Sequence, residues 1–190
     1  MAYAQTPQDR ATELKKQAQS SLNQKDYIKA RYLFKKAYEA FASRENYPQA
    51  IECGVQANAL YVRENFYKEG FELCRDMEQL LWTGEQNKKK VFYDLRFLIN
   101  KERLQMYTAT EKSRTSKIQL DKLEEMANLA KNDSLTEVLL YTKANYYYTS
   151  TKVHKAMPVS ANLSTNIRKR RLRQSERLLQ ESYQYCTKRQ

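Results

Sequence analysis

The sequence predicts an all-α protein built as a chain of antiparallel helical hairpins, and three observations carry that reading. Only 3 Gly and 3 Pro stand among 190 residues that are 41% hydrophobic and 29% charged. The residues that punctuate β-hairpins and βα turns are therefore scarce. Second, Tyr27-Ile28-Lys29-Ala30, Tyr47-Pro48-Gln49-Ala50 and Tyr67-Lys68-Glu69-Gly70 share the form aromatic-x-x-small and recur at intervals of 20 residues. Third, an apolar stripe at spacings of three and four follows each: Phe34, Ala37, Tyr38 and Phe41, then Gly54, Ala57 and Tyr61, then Cys74, Met77 and Leu81. Such a period holds one helix of about four turns and a tight turn, so consecutive helices run antiparallel. The length is that of about one domain.

Taken in order, residues 1–8 are expected to be disordered. Ala2-x-Ala4 followed by polar residues has the look of a secretory signal's tail at its small-residue cleavage site, and an ordinary disordered N-terminus is the alternative. Residues 9–23 form the opening helix through Ala11, Leu14, Ala18 and Leu22. The next three helices begin at Tyr27, Tyr47 and Tyr67, supported by Asp26 as an N-cap, Pro48 near a first helical position and Asn65 just upstream. From Lys88 the pattern Val91, Phe92, Leu95, Leu98, Ile99 and Met106 predicts a longer helix reaching Thr110. Ile118, Leu120, Leu123, Met126, Ala127 and Ala130 predict another, ended by Asn132-Asp133-Ser134, which also cap the helix of Leu135, Val138, Leu139, Thr142 and Tyr146. Residues 147–156 read as a further hairpin turn, with a break near Pro158 and 160–164. Ile167, Leu172, Ser175, Leu179, Tyr183 and Cys186 restore a helical face. The total is eight helices in four pairs, with 9–190 as one repeat domain.

The absences exclude several functions. His154 is the single histidine, and Cys53, Cys74 and Cys186 are dispersed, so no zinc or iron–sulfur spacing exists. Gly54, Gly70 and Gly84 stand alone and build neither a Walker loop nor a dinucleotide fingerprint. A catalytic triad would have to use His154, whose neighbours Lys152 and Lys155 disfavour the imidazolium a general base must become. A non-enzymatic protein with no metal and no cofactor is expected. No run of 18 apolar residues occurs, so no membrane span is expected within this chain. The cysteines are expected as three buried free thiols; a Cys53–Cys74 bridge would need their helices face to face.

At the repeats the chain resembles the tetratricopeptide repeat family, whose hairpin carries a small residue midway in its first helix, Gly-Asp-Tyr at the turn, then Ala, an aromatic and Ala. Ala18, Lys25-Asp26-Tyr27, Ala30, Phe34 and Ala37 match it well. Asn65-Phe66-Tyr67, Gly70, Cys74 and Met77 match more loosely, 40 residues on, against the family's usual period of about 34. Ala144, Tyr147, Thr151, Lys152, Val153 and Ala156 form the fourth match, whereas the third repeat is helical in period only. The likeness spans about residues 10–160. It implies a right-handed superhelical solenoid of about four hairpins, with a concave groove lined by the first helix of each pair. By position that groove takes Lys15, Gln19 and Asn23 from the first repeat and Glu52, Val55, Ala59, Val62 and Arg63 from the second. In family members that clamp a peptide's terminal carboxylate, Lys and Asn do the holding. Here Lys15 matches, while Gln19 and Ala59 stand where the asparagines would be.

Two further constellations bear on function. Arg168, Lys169, Arg170, Arg171 and Arg173 place five positive charges within six residues. They are either an anionic-partner patch able to bind phosphates or a solvated face pairing with Glu176 and Glu181. Tyr141 and Tyr146-Tyr147-Tyr148 put aromatics on more than one side of a helix, facing a groove or buried between hairpins. The expected function is recognition of a protein or peptide in the groove. Exported domains of the family are similar to the sensory part of bacterial signalling proteins, which implies a periplasmic domain of a longer sensor, with a cytoplasmic adaptor as the alternative. The rival function is nucleic-acid binding, motivated by the net charge of +12 and the Arg168 cluster.

Overall fold

The computed structural model describes residues 7–153. Among them are seven helices and no strand: α1 (Pro7–Asn23), α2 (Tyr27–Ala42), α3 (Tyr47–Arg63), α4 (Tyr67–Lys88), α5 (Tyr93–Ala109), α6 (Ser113–Ala130) and α7 (Asp133–Val153). The protein is all-α. It divides into two compact units, Met1–Met106 and Tyr107–Gln190, with the division in the last turn of α5.

The 20-residue period is a period of turn geometry. Lys25, Glu45 and Asn65, two positions before each helix-opening tyrosine, all lie in the left-handed region at φ 63°, 55° and 62°. After each, the N–H of Asp26, Asn46 or Phe66 donates back to the carbonyl of Ser21, Phe41 or Tyr61 at 2.9, 3.1 and 2.9 Å. This is the Schellman closure, which satisfies carbonyls that a helix end otherwise leaves unpaired. The next helix starts at once. The Asp26 carboxylate accepts the Lys29 N–H at 3.1 Å, and Asn46 Oδ1 accepts the Gln49 N–H at 3.4 Å. Phe66 offers no such acceptor. Asn65 is therefore not a cap: it supplies the left-handed residue, and its Oδ1 accepts from the Tyr67 hydroxyl at 2.7 Å.

These tight turns return each helix against the one before it, α1 on α2, α2 on α3 and α3 on α4. The contact faces carry the expected stripes. Ala30, Ala50 and Gly70 are buried at one repeated position, and Phe34, Ile51, Met77 and Leu81 fill the space between helices. Removing side chains of this size from water contributes about 1.5–3 kcal/mol each. In the second unit α6 packs on α7, with Leu120, Leu123 and Ala127 buried on one and Leu135, Leu139 and Ala144 on the other.

The structure corrects the predicted elements in four places. α1 begins at Pro7 rather than Asp9, because proline has no N–H to lose in a first helical turn. The long helix is α4, 22 residues, whereas α5 has 17 and begins at Tyr93. The break falls at Lys89, which is left-handed at φ 49°. It is held by Glu85, whose carboxylate accepts the Phe92 N–H at 2.9 Å and the Arg96 Nε–H at 2.8 Å. Ile118 is exposed, since it points away from the face that Leu120 and Leu123 share. Finally, no turn starts at Tyr147: α7 continues through Val153 without the left-handed residue that ends α1, α2 and α3. The fourth repeat match therefore fails at its turn. The predicted break near Pro158 and the last helix lie outside the described residues.

Candidate functional site

Alternate helices of the first unit are bonded to each other as well as to their sequence neighbours. Lys15 of α1 reaches two residues of α3, with Nζ 2.7 Å from Glu52 Oε2 and donating to Gln49 Oε1 at 2.9 Å. Asn58 of α3 reaches α5, its Nδ2 donating to the buried Glu102 Oε2 at 3.3 Å, and Lys101 Nζ lies 3.1 Å from Glu102 Oε1. The helices α1, α3 and α5 are thus tied laterally in a row by polar side chains. Asn58 and Glu102 are almost fully enclosed. A carboxylate in that position is tolerable because hydrogen bonds and a cation accompany it.

The predicted groove residues lie on this row in three groups. Lys15 and Glu52 are brought together as an ion pair. Gln19 and Asn23 share the exposed face of α1, with Gln19 Nε2 donating to Asn23 Oδ1 at 3.2 Å. On α3, Ala59 is exposed while Val55 and Val62 are half-buried against the core. Arg63 stands apart: its guanidinium carbon sits 3.9 Å from the Tyr27 ring centroid, so it is engaged with the start of α2. Spacing alone did not show this, because α3 ends where α2 begins only once the hairpin is closed.

The sequence reading passed over Arg31. Its guanidinium lies 4.8 Å from the Tyr61 ring centroid and 5.2 Å from that of Phe66, and it pairs with Glu64. A cation held between two rings and a carboxylate is immobilised, which stiffens the junction of α2 with the α3–α4 turn. The recoverable signal was the 30-residue-plus offset between Arg31 on α2 and the Tyr61-x-x-Glu64-x-Phe66 set one hairpin later.

The thiols are chemically quiet. Burial pushes the Cys53 thiol up to about 11, partly opposed by Lys15. Burial likewise pushes Cys74 up to about 12, partly opposed by Arg103. Both are free and buried, and a protonated thiol is a poor nucleophile and a poor ligand. Among the described residues no three His, Cys, Asp or Glu side chains converge as a metal site, and no helix is long and apolar enough to cross a membrane. Tyr146 and Tyr147 are half-buried and edge-on to each other, 5.3 Å between centroids. Tyr141 is exposed. His154, Cys186 and the patch Arg168, Lys169, Arg170, Arg171 and Arg173 lie outside the described residues, as do residues 1–6. The chain matches no family model, no curated protein and no solved structure.

Proposed function

We propose that the protein is a non-enzymatic recognition module, a right-handed solenoid of tetratricopeptide-like hairpins that binds a protein or peptide along the α1–α3–α5 row. The observation that carries this is the lateral bonding of alternate helices, Lys15 to Gln49 and Glu52 and Asn58 to Glu102. First helices tied side by side form an extended surface, and a small rotation per hairpin curves such a surface into a groove. Two details support the family likeness. Lys25 adopts the left-handed conformation at the turn position where the family pattern has glycine. The small residues Ala18, Ala30, Ala37 and Ala57 are all fully enclosed, as close helix approach requires. The exposed Gln19, Asn23 and Ala59 and the half-buried Val55 would contact the ligand, with Lys15 and Glu52 offering one charge of each sign. A sensory or adaptor role in bacterial signalling, on the exported side of a membrane, follows from the same likeness.

The test is site-resolved photo-crosslinking in the native source, with a benzophenone side chain at Gln19 or at Ala59 and a control at the exposed Lys122. The reading expects one partner captured from both groove positions and not from Lys122. Capture from Lys122 alone, or different proteins from Gln19 and Ala59, would contradict it.

A further inference from the structure

The apolar face of α2 is turned inward through Ala30, Leu33, Phe34, Ala37 and Phe41. Its opposite face should be polar, as the solvent side of an amphipathic helix normally is. Instead Ile28 is 69% exposed and Tyr32 60% exposed, one turn apart. A cleft of about 390 Å³ lies along this side, lined by Ile28, Arg31, Tyr32, Lys35, Lys36 and Tyr61, with Glu39 at its end. Ile28, Tyr32, Lys35 and Glu39 fall on one stripe at spacings of four, three and four, about 16 Å of helix, flanked by Arg31 on one side and Lys36 on the other. One wall is rigid, because Arg31 is fixed between Tyr61 and Phe66 and paired with Glu64. Lys36 is shared with Glu39 at 2.9 Å. Lys35 is exposed with no ion pair among the described residues.

We propose that this outer face of α2 is a second docking surface, and that its occupant is an acidic amphipathic helix of a partner protein. The charge balance selects the occupant. Three cations and one carboxylate line the cleft, and with Arg31 held by Glu64 and Lys36 by Glu39 the unpaired charge is that of Lys35, so a second copy of this chain at +12, or its own basic stretch 168–173, is the disfavoured occupant. The exposed Ile28 and Tyr32 select an apolar contact, which a phosphate backbone does not make, and Glu39 opposes phosphate. A linear stripe with anchors one turn apart accepts a helix laid along it, whose apolar residues at i and i+4 cover Ile28 and Tyr32 and whose Glu or Asp side chains meet Lys35. This surface lies on α2 with Tyr61 of α3 as one wall, and none of its lining residues is among the predicted groove residues.

The test uses the full chain and three fluorescein-labelled probes read by anisotropy: a synthetic helical peptide of leucines on one face and glutamates on the other, the same peptide with lysines for glutamates, and oligothymidylate. The glutamate peptide should bind and the lysine peptide should not. Tyr32→Ala should weaken the glutamate peptide about thirtyfold, the loss typical of an aromatic anchor. Lys35→Glu should weaken it as well and confer measurable binding of the lysine peptide, a gain that simple damage to the fold cannot produce. Lys122→Glu makes the same charge change in the second unit and should leave binding as it was. Failure of the glutamate peptide to bind overturns the proposal, as does binding indifferent to Tyr32→Ala and Lys35→Glu. Displacement of the peptide by oligothymidylate would assign the cleft to nucleic acid instead.

Discussion

Gly84→Ala should destabilise the first unit even though it places the best helix former in the interior of α4. A Cβ at Gly84 would lie 2.5–2.8 Å from three atoms of the Tyr47 ring, well inside van der Waals contact. That ring cannot step aside: Tyr47 is buried, with Phe92 at 5.7 Å between centroids and Lys88 Nζ 4.9 Å from its centroid. Overpacking of a tight interior costs about 1–3 kcal/mol, and a clash with a boxed ring belongs at the upper end. The helix-propensity gain of Gly→Ala returns about 1 kcal/mol, leaving a net loss of roughly 2 kcal/mol, or about 4–8 °C in Tm for a chain of this size. Urea denaturation followed by circular dichroism reads it. The cause is isolated in a Tyr47→Leu background, where the ring is gone and Gly84→Ala should become neutral or stabilising by up to about 1 kcal/mol. Gly70→Ala is the contrast. Its nearest neighbour would be the Met106 thioether at 2.7 Å, with Asn58 Oδ1 at 3.1 Å, and a flexible methionine can yield, so the net change should stay within about 1 kcal/mol. If Gly84→Ala stabilises the protein with Tyr47 in place, the packing of α3 on α4 described above is wrong.

Four further outcomes are expected. Ala30→Leu, at a fully buried contact position, should cost about 1–3 kcal/mol and first appear as lost hydrogen-exchange protection around residues 11–64. Lys15→Ala and Arg63→Ala, on exposed or half-buried groups, should stay within roughly 0.5 kcal/mol. Glu85 is held below the ordinary carboxylate value by the Arg96 hydrogen bonds and then the Phe92 N–H, against the opposing effect of burial. Its folded-state pKa is lowered, so its stabilisation is full above the ordinary value of 4.5 and is lost as pH falls through the lowered one. Thermal melts at descending pH should therefore drop more steeply for the wild type than for Glu85→Gln; parallel curves would refute the bond. Cys53 and Cys74, pushed up to about 11 and about 12, should resist iodoacetamide in native buffer and label in urea, checked by peptide mass mapping.

The repeat was legible because its signal is chemical and local: Tyr27, Tyr47 and Tyr67 open helices since the residue two before each takes the left-handed conformation. The α4–α5 break was legible only approximately, with a helix expected from Lys88 where α4 in fact ends, because the aromatic-x-x-small signature of the earlier turns does not mark it. It depends on Glu85 closing back onto Phe92 and Arg96, seven and eleven residues later, a contact that exists only after folding. The false turn at Tyr147 came from carrying a repeat pattern into a segment with helical composition and no turn chemistry. At the candidate site, the pairing of Lys15 with Glu52 needs α1 and α3 side by side, which the period implies. Arg63 on Tyr27 and Arg31 on Tyr61 and Phe66 depend on the ends of hairpins meeting. Ile28 and Tyr32 could have been noticed, since they lie out of phase with the buried stripe of their own helix.

If the α1–α3–α5 row is the recognition surface, a steric block placed on it must weaken binding. Ala59 is exposed on α3 although Asn58 and Leu60 beside it are buried, so a side chain added there extends into solvent and Ala59→Trp should preserve the far-ultraviolet spectrum and the melting temperature. Isothermal titration of the crosslinked partner into this variant should show binding weakened by at least about tenfold, or 1.4 kcal/mol. Unchanged affinity with the indole in the groove would mean that the partner binds elsewhere on the protein.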